Sequence, residues 1–240
     1  MEFNFKIIHQ DKNSKARCAE LLTPHGLIQS PVFMPVGTQA TVKTLSKEDL
    51  LDCGAEIILS NAYHLNLRPG LEVIKQAGGL HNFMSWQKPM LTDSGGYQIF
   101  SLALLRKFKD DGVEFQSHID GSKHFLTPEN IIDIQGVLGA DIIMPLDDCI
   151  HYPATYEMAK TAMQRTTLWA RRSQECYLKL RNKRQALFGI IQGSTYRDLR
   201  SESLRDLIDL DFFGYAIGGL SVGEPEDLRY NMLSFTAEEL

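Results

Sequence analysis

The chain has 240 residues, 43% apolar and 23% charged, with a formal net charge of −5. Those proportions exclude a disordered chain, and the length suffices for a sizeable core. The charge excludes a strongly basic nucleic-acid protein, no apolar run is long enough for a membrane span, and Met1–Lys6 is no secretory signal. The four cysteines, Cys18, Cys53, Cys149 and Cys176, form no Cys-x-x-Cys pair and stand apart from the seven histidines. This predicts reduced thiols, a cytoplasmic location and no metal site within the chain.

Residues 1–30 alternate apolar and polar side chains and turn at Thr23-Pro24-His25-Gly26, which predicts an N-terminal antiparallel β cap. From residue 31 the pattern becomes short apolar run, loop, helix. Val32–Gly37 is the first expected strand. Ser46 caps a helix, with Asp49 three residues on and Gly54 at its end. Glu56–Asn61 is the second strand, followed by a helix over 69–77 that Gly78-Gly79 closes. Pro89–Leu91 runs into Asp93 as the third. Alternation over 113–118 and a turn at Asp120-Gly121 predict a hairpin inserted near 99–126. Thr127-Pro128 starts a helix. Asp141–Leu146 is the fourth strand, ending at Asp147-Asp148-Cys149.

A long helix over 153–180 follows, with an apolar stripe of Ala159, Ala162, Met163, Trp169, Cys176, Tyr177 and Leu180. Arg171, Arg172, Lys179, Arg181, Lys183 and Arg184 crowd its end, read as a solvated face. Ala186–Ile191 and Phe213–Ile217 complete the strands, and a last helix begins near Pro225. Buried strands alternating with helices predict a parallel sheet. A doubly wound sheet and a (β/α)8 TIM barrel both satisfy this. Polar residues at nearly every strand end favour the barrel, over 31–240 and incomplete at about six βα units.

The stretch Pro89–Gln98 carries the chemistry. An apolar approach ends in Asp93, followed by Ser94, Gly95, Gly96 and Tyr97. An Asx turn closing a strand explains the acid and the glycines alone. Other strand ends repeat the design, at Asn61, Asp147-Asp148-Cys149, Gln192-Gly193 and Gly218-Gly219. Parallel strands would bring these to one mouth. Asp147 can accept from the N–H and amine edge of a guanine-like ring, and Gln192 and the Gly219 N–H can donate to its carbonyl. Tyr97 can stack on the ring, and Asp93 is placed for general acid–base work, with a pKa that Asp147 can move.

Asp93-Ser-Gly-Gly-Tyr-Gln98, Ser60-Asn-Ala-Tyr-His-Leu65, Ser117-His-Ile-Asp-Gly-Ser122, Phe188-Gly-Ile-Ile-Gln-Gly-Ser194 and Tyr215-Ala-Ile-Gly-Gly-Leu-Ser-Val-Gly-Glu224 resemble the tRNA-guanine transglycosylases (queuine tRNA-ribosyltransferases), in family order over essentially the whole chain. The resemblance implies an irregular (β/α)8 barrel. It also implies exchange of the tRNA wobble guanine for a 7-deazaguanine through a covalent ribosyl intermediate.

By the same resemblance Asp93 is the general acid/base, and Ser94, Gly95, Gly96, Tyr97, Asp147, Gln192, Gly218 and Gly219 bind the base. Asn61 orients the nucleophile, and Cys149 and Val222 line the pocket beside the 7-substituent, favouring preQ1 over queuine. The resemblance implies tRNA as partner and a homodimer when the protein is complete. It places the nucleophilic aspartate and the zinc ligands beyond residue 240, with no cofactor held by this chain. The alternative reading is a non-catalytic subunit that binds tRNA or a 7-deazaguanine beside a complete partner.

Overall fold

A computed structural model describes residues 3–102, 105–180 and 184–240. Its elements in chain order are β1 (Asn4–Gln10), β2 (Arg17–Thr23), β3 (Gly26–Ser30), α1 (Lys47–Asp52), β4 (Ile58–Asn61), α2 (Ala62–Leu67), α3 (Leu71–Gln76), α4 (Leu80–Met84), β5 (Met90–Asp93) and α5 (Gly96–Leu102). There follow β6 (Arg106–Lys109), β7 (Gly112–Gln116), β8 (Lys123–Leu126), α6 (Pro128–Leu138), β9 (Ile142–Ile143), α7 (Tyr156–Leu180), β10 (Ala186–Ile191), α8 (Arg197–Ile208), β11 (Gly214–Ile217) and α9 (Glu226–Glu239). The fold is mixed α/β, with an antiparallel N-terminal sheet and parallel strands. The chain divides into two compact units.

The first unit comprises Met1–Asp93, Asp133–Ile143 and Arg181–Ala186. Strands β1, β2 and β3 form an antiparallel sheet with the Thr23↔Gly26 pair at the predicted turn. Parallel β4, β5 and β9 are the unit's buried strands, paired Ile58↔Met90 and Leu91↔Ile142. Ile57, Ile58, Leu65, Ile74, Leu80, Trp86 and Met90 form the core around them, each no more than 2% exposed. Asp141, fully buried, is a polar knot in this core. It accepts from His25 Nδ1 at 2.8 Å and from the Met90 N–H at 2.9 Å, with His81 Nε2 at 3.3 Å. Burial pushes its pKa up, but the close His81 ring and the bonds from Met90 and His25 outweigh that and hold it below the usual carboxylate value. The capping box predicted at Ser46 and Asp49 is present.

The second unit comprises Ser94–Ile132, Met144–Leu180 and Leu187–Leu240. Here β6, β7 and β8 form an antiparallel meander. Strands β10 and β11 run parallel from Phe188↔Gly214 to Ile191↔Ile217. Helix α7 buries Ala159, Ala162, Met163, Trp169 and Ala170. Its predicted stripe then surfaces, since Leu180 is 48% exposed.

Several expectations change. Val32–Gly37 forms no strand and keeps a single bridge, Val36↔Leu59. Pro31 and Pro35 have no N–H to give a ladder, so the segment contributes only isolated bonds such as Leu59 N–H to Pro35 O. The fourth strand shrinks to Ile142–Ile143 ahead of Pro145. The hairpin becomes three strands beginning at Arg106, because residues 99–102 belong to α5. Residues 103 and 104 of the predicted insertion lie outside the described residues. Arg172 is no solvated cation. It clasps Glu129 through two bonds of 2.8 Å. Arg181 and Lys183 lie outside the described residues. Helices α2, α4, α5 and α8 were not predicted. Helix α8 escaped because its start, Tyr196, makes no side-chain cap, and Arg200 and Ser203 sit on its buried face beside Leu199, Leu204 and Leu207.

Candidate active site

In the first unit the parallel register sets Asn61 opposite Asp93 at the C-terminal ends of β4 and β5. Two polar side chains on adjacent strand ends therefore meet. Asn61 Nδ2 donates a short hydrogen bond to Asp93 Oδ2. The Ala62 N–H, first in α2, donates to Asp93 Oδ1 at 3.3 Å. Asn61 is buried, 4% exposed, while Asp93 is half-buried, so the carboxylate is oriented from behind and reachable in front.

In the second unit Ser94, Asp147 and Gln192 come together, all buried. Ser94 Oγ donates to Asp147 Oδ1 at 3.2 Å, and Gln192 Nε2 donates to Asp147 Oδ2 at 2.9 Å. Gly96 starts α5 against this carboxylate. A Cβ there would lie 2.5 Å from the Asp147 backbone oxygen and nearer still to Oδ1, so only glycine fits. Burial pushes the Asp147 pKa up to about 6, the charge of Asp148 adds to the rise, and the bonds from Gln192 and Ser94 oppose it. Asp147 thus has two protonation states within reach, a two-fold acceptor when ionised and a donor when neutral.

Gly218 and Gly219 follow β11. Gly218 N–H donates to Ile191 O at 2.9 Å, and a Cβ on Gly218 would lie 3.1 Å from Gln192 Nε2. Gly219 has φ +64°, and a Cβ there would overlap Gln192 Oε1. Cys149, Val222 and Phe100 pack together with Tyr152 at their edge. Burial, with Asp147, Asp148 and Glu224 nearby, pushes the Cys149 thiol far above its usual value, so it stays neutral and is no nucleophile. Tyr97 is 49% exposed, its ring tilted against Phe100 with the centroids 6.1 Å apart.

Asp148 is not part of this acceptor set. Arg165 donates to its carboxylate, and its own N–H donates to Thr166 Oγ1 at 3.0 Å. Neither it nor Asp147 caps α7, which starts at Tyr156. Sequence reasoning missed Arg165 and Thr166 here, and also Ser203, whose Oγ accepts from the Gln192 N–H at 3.1 Å. It missed Arg200 as well. None of these sits in a motif, and the one available signal was a charged residue on an otherwise apolar helix face. A cleft of about 690 Å³ in the first unit, beside Val32, Phe33 and Leu45, is lined by none of the predicted site residues.

The described residues do not form a cysteine-bearing zinc centre. All four cysteines are free thiols. The one grouping of three potential ligands among the described residues is His25, His81 and Asp141. Spacings of 56 and 60 residues hid it from a sequence reading. Its two rings stack at 3.5 Å and 16°, so an ion within about 2.1 Å of both nitrogens would lie outside both ring planes, where no lone pair points.

The class these elements define is a mixed α/β protein with parallel strands, Asn61 and Asp93 standing at the C-terminal ends of one parallel pair and Gln192 directly after β10. The family model for queuine tRNA-ribosyltransferase matches residues 11–240. Similar curated proteins, each named queuine tRNA-ribosyltransferase, include one from Desulforudis audaxviator, 59% identical over 231 residues. Others are from Caldanaerobacter subterraneus subsp. tengcongensis, 57% over 236, and Acetivibrio thermocellus, 56% over 233. The matches cover 96%, 98% and 97% of this chain and 62% of each relative's length. The chain belongs to the queuine tRNA-ribosyltransferase family.

Proposed function

We propose that the protein containing this chain is a tRNA-guanine transglycosylase, exchanging the wobble guanine of a tRNA anticodon for preQ1 on a (β/α)8-type barrel. The observation that carries the reading is the buried Ser94–Asp147–Gln192 set with Gly96 drawn against it. Ionised Asp147 takes the N1–H and 2-amino group of the base, and Gln192 with the Gly219 N–H serves its carbonyl oxygen. Ser94, Gly95, Gly96 and Gly218 shape the slot, and Tyr97 stacks on the ring. Asp93, held by Asn61, hands a proton to the leaving base and takes one from the incoming base. The nucleophile that carries the ribosyl group is assigned to no residue of this chain. Val222, buried against Cys149 and Phe100, leaves room for an aminomethyl group better than for a cyclopentenediol, which supports preQ1 over queuine.

Zinc and a homodimer belong to the same reading. Free thiols suit a cytoplasmic setting, and no helix among the described residues is long and apolar enough to cross a membrane. The direct test is titration calorimetry with guanine, preQ1 and adenine. Adenine puts a ring nitrogen acceptor where the reading needs a donor, leaving Asp147 unpaired, so it should bind at least about 100-fold more weakly. Equal affinity for adenine and guanine would overturn the assignment.

A further inference from the structure

Arg200 of α8 has no part in the roles assigned so far. It is fully buried, and burial pulls its pKa down to about 10 against the opposing field of Glu224, so it stays charged. Its bonds run to backbone oxygens. Nε donates to Ser194 O at 2.7 Å, and Nη2 donates to Gly218 O at 3.1 Å and, more distantly, to Gly219 O at 3.5 Å. One guanidinium therefore joins the loop after β10 to the loop after β11. Three residues along the helix, Ser203 accepts from the Gln192 N–H. The buried face of α8 thus backs both Gln192 and the Gly218-Gly219 turn.

The peptide between Gly218 and Gly219 gives this clamp a direction. A trans peptide is planar, with C=O and N–H on opposite sides. Once Arg200 holds Gly218 O, the Gly219 N–H must point away from the guanidinium. No hydrogen bond engages that N–H among the described residues. We infer that Arg200 is a positioning residue that aims the Gly219 N–H at the carbonyl oxygen of the bound base. It acts through the peptide plane and touches neither substrate nor reacting atom. Lysine cannot substitute, because an ammonium lacks the planar fork that reaches two loops at once.

This inference rests on the base-exchange reading, and its test separates the two. Affinities for preQ1 and for 2-aminopurine, which lacks both the carbonyl oxygen and the N1–H and so binds weakly from the start, are measured for the wild type and Arg200→Lys by calorimetry, direct for preQ1 and by competition for 2-aminopurine, in the protein at its natural length. The wild type should favour preQ1. Arg200→Lys should lose about tenfold or more for preQ1 and at most about twofold for 2-aminopurine, the signature of one misaimed hydrogen bond. Equal losses for both bases, or none, would mean a structural arginine only and would overturn the inference. Failure of the wild type to bind preQ1 would overturn the base-exchange reading itself. If Arg200→Lys does not fold, the wild type labelled with ¹⁵N-glycine decides: the Gly219 amide should shift and exchange more slowly when preQ1 saturates the site. An unresponsive Gly219 amide under saturation would overturn the inference.

Discussion

At Asp147, burial and hydrogen bonding pull in opposite directions, and burial wins. A folded-state pKa of about 6 against 3.8 for the free side chain means the fold holds a proton that the unfolded chain has released between those values. Stability therefore falls as pH rises from about 4 to about 6 and levels off above, by roughly 3 kcal/mol in all. Asp147→Asn removes the titration. In thermal unfolding between pH 4 and 7, the wild type should lose stability relative to the variant by that amount, and parallel curves would refute the shift. Base affinity should move the other way, rising as the carboxylate ionises. Asp93, Asp147 and Gln192 were legible in the sequence because each follows an apolar run or sits beside a glycine. Arg200 and Ser203 were not, because their roles depend on which face of α8 is buried.

Among the elements, the strands that formed have no proline within their bounds, and β10 kept its predicted bounds. Where Pro31, Pro35 and Pro145 interrupt apolar runs, hydrophobicity alone promised more ladder than missing N–H groups allow. Helix α8 was invisible for a different reason: its buried face carries an arginine and a serine that a periodicity count scores as polar. Charge crowding on α7 was read as solvation, yet Arg172 also donates from Nη1 to the Asp110 and Asp111 carbonyls at 3.1 Å, tying the β6–β7 turn to the helix. Arg172→Lys should lower stability by about 1 kcal/mol in urea unfolding and leave preQ1 affinity unchanged. A variant as stable as the wild type would show that the clasp contributes nothing.

On the scale of the whole molecule, each unit has its own core and its own polar centre, Asp141 in one and Asp147 in the other. The two carboxylates shift in opposite directions. Asp141 is met by two imidazoles and two backbone N–H groups, those of His25 and Met90, Asp147 by an amide and a hydroxyl. The first set stabilises the anion and holds structure together. The second leaves the anion poorly satisfied, which suits a group that waits for donors from a ligand. The most direct measurement is incorporation of radiolabelled guanine into tRNA bearing a wobble guanine, by the protein at its natural length. The wild type should incorporate label, and Asp147→Asn should be slower by at least about 100-fold. Absence of incorporation by the folded wild type, or equal rates for both, would contradict the account.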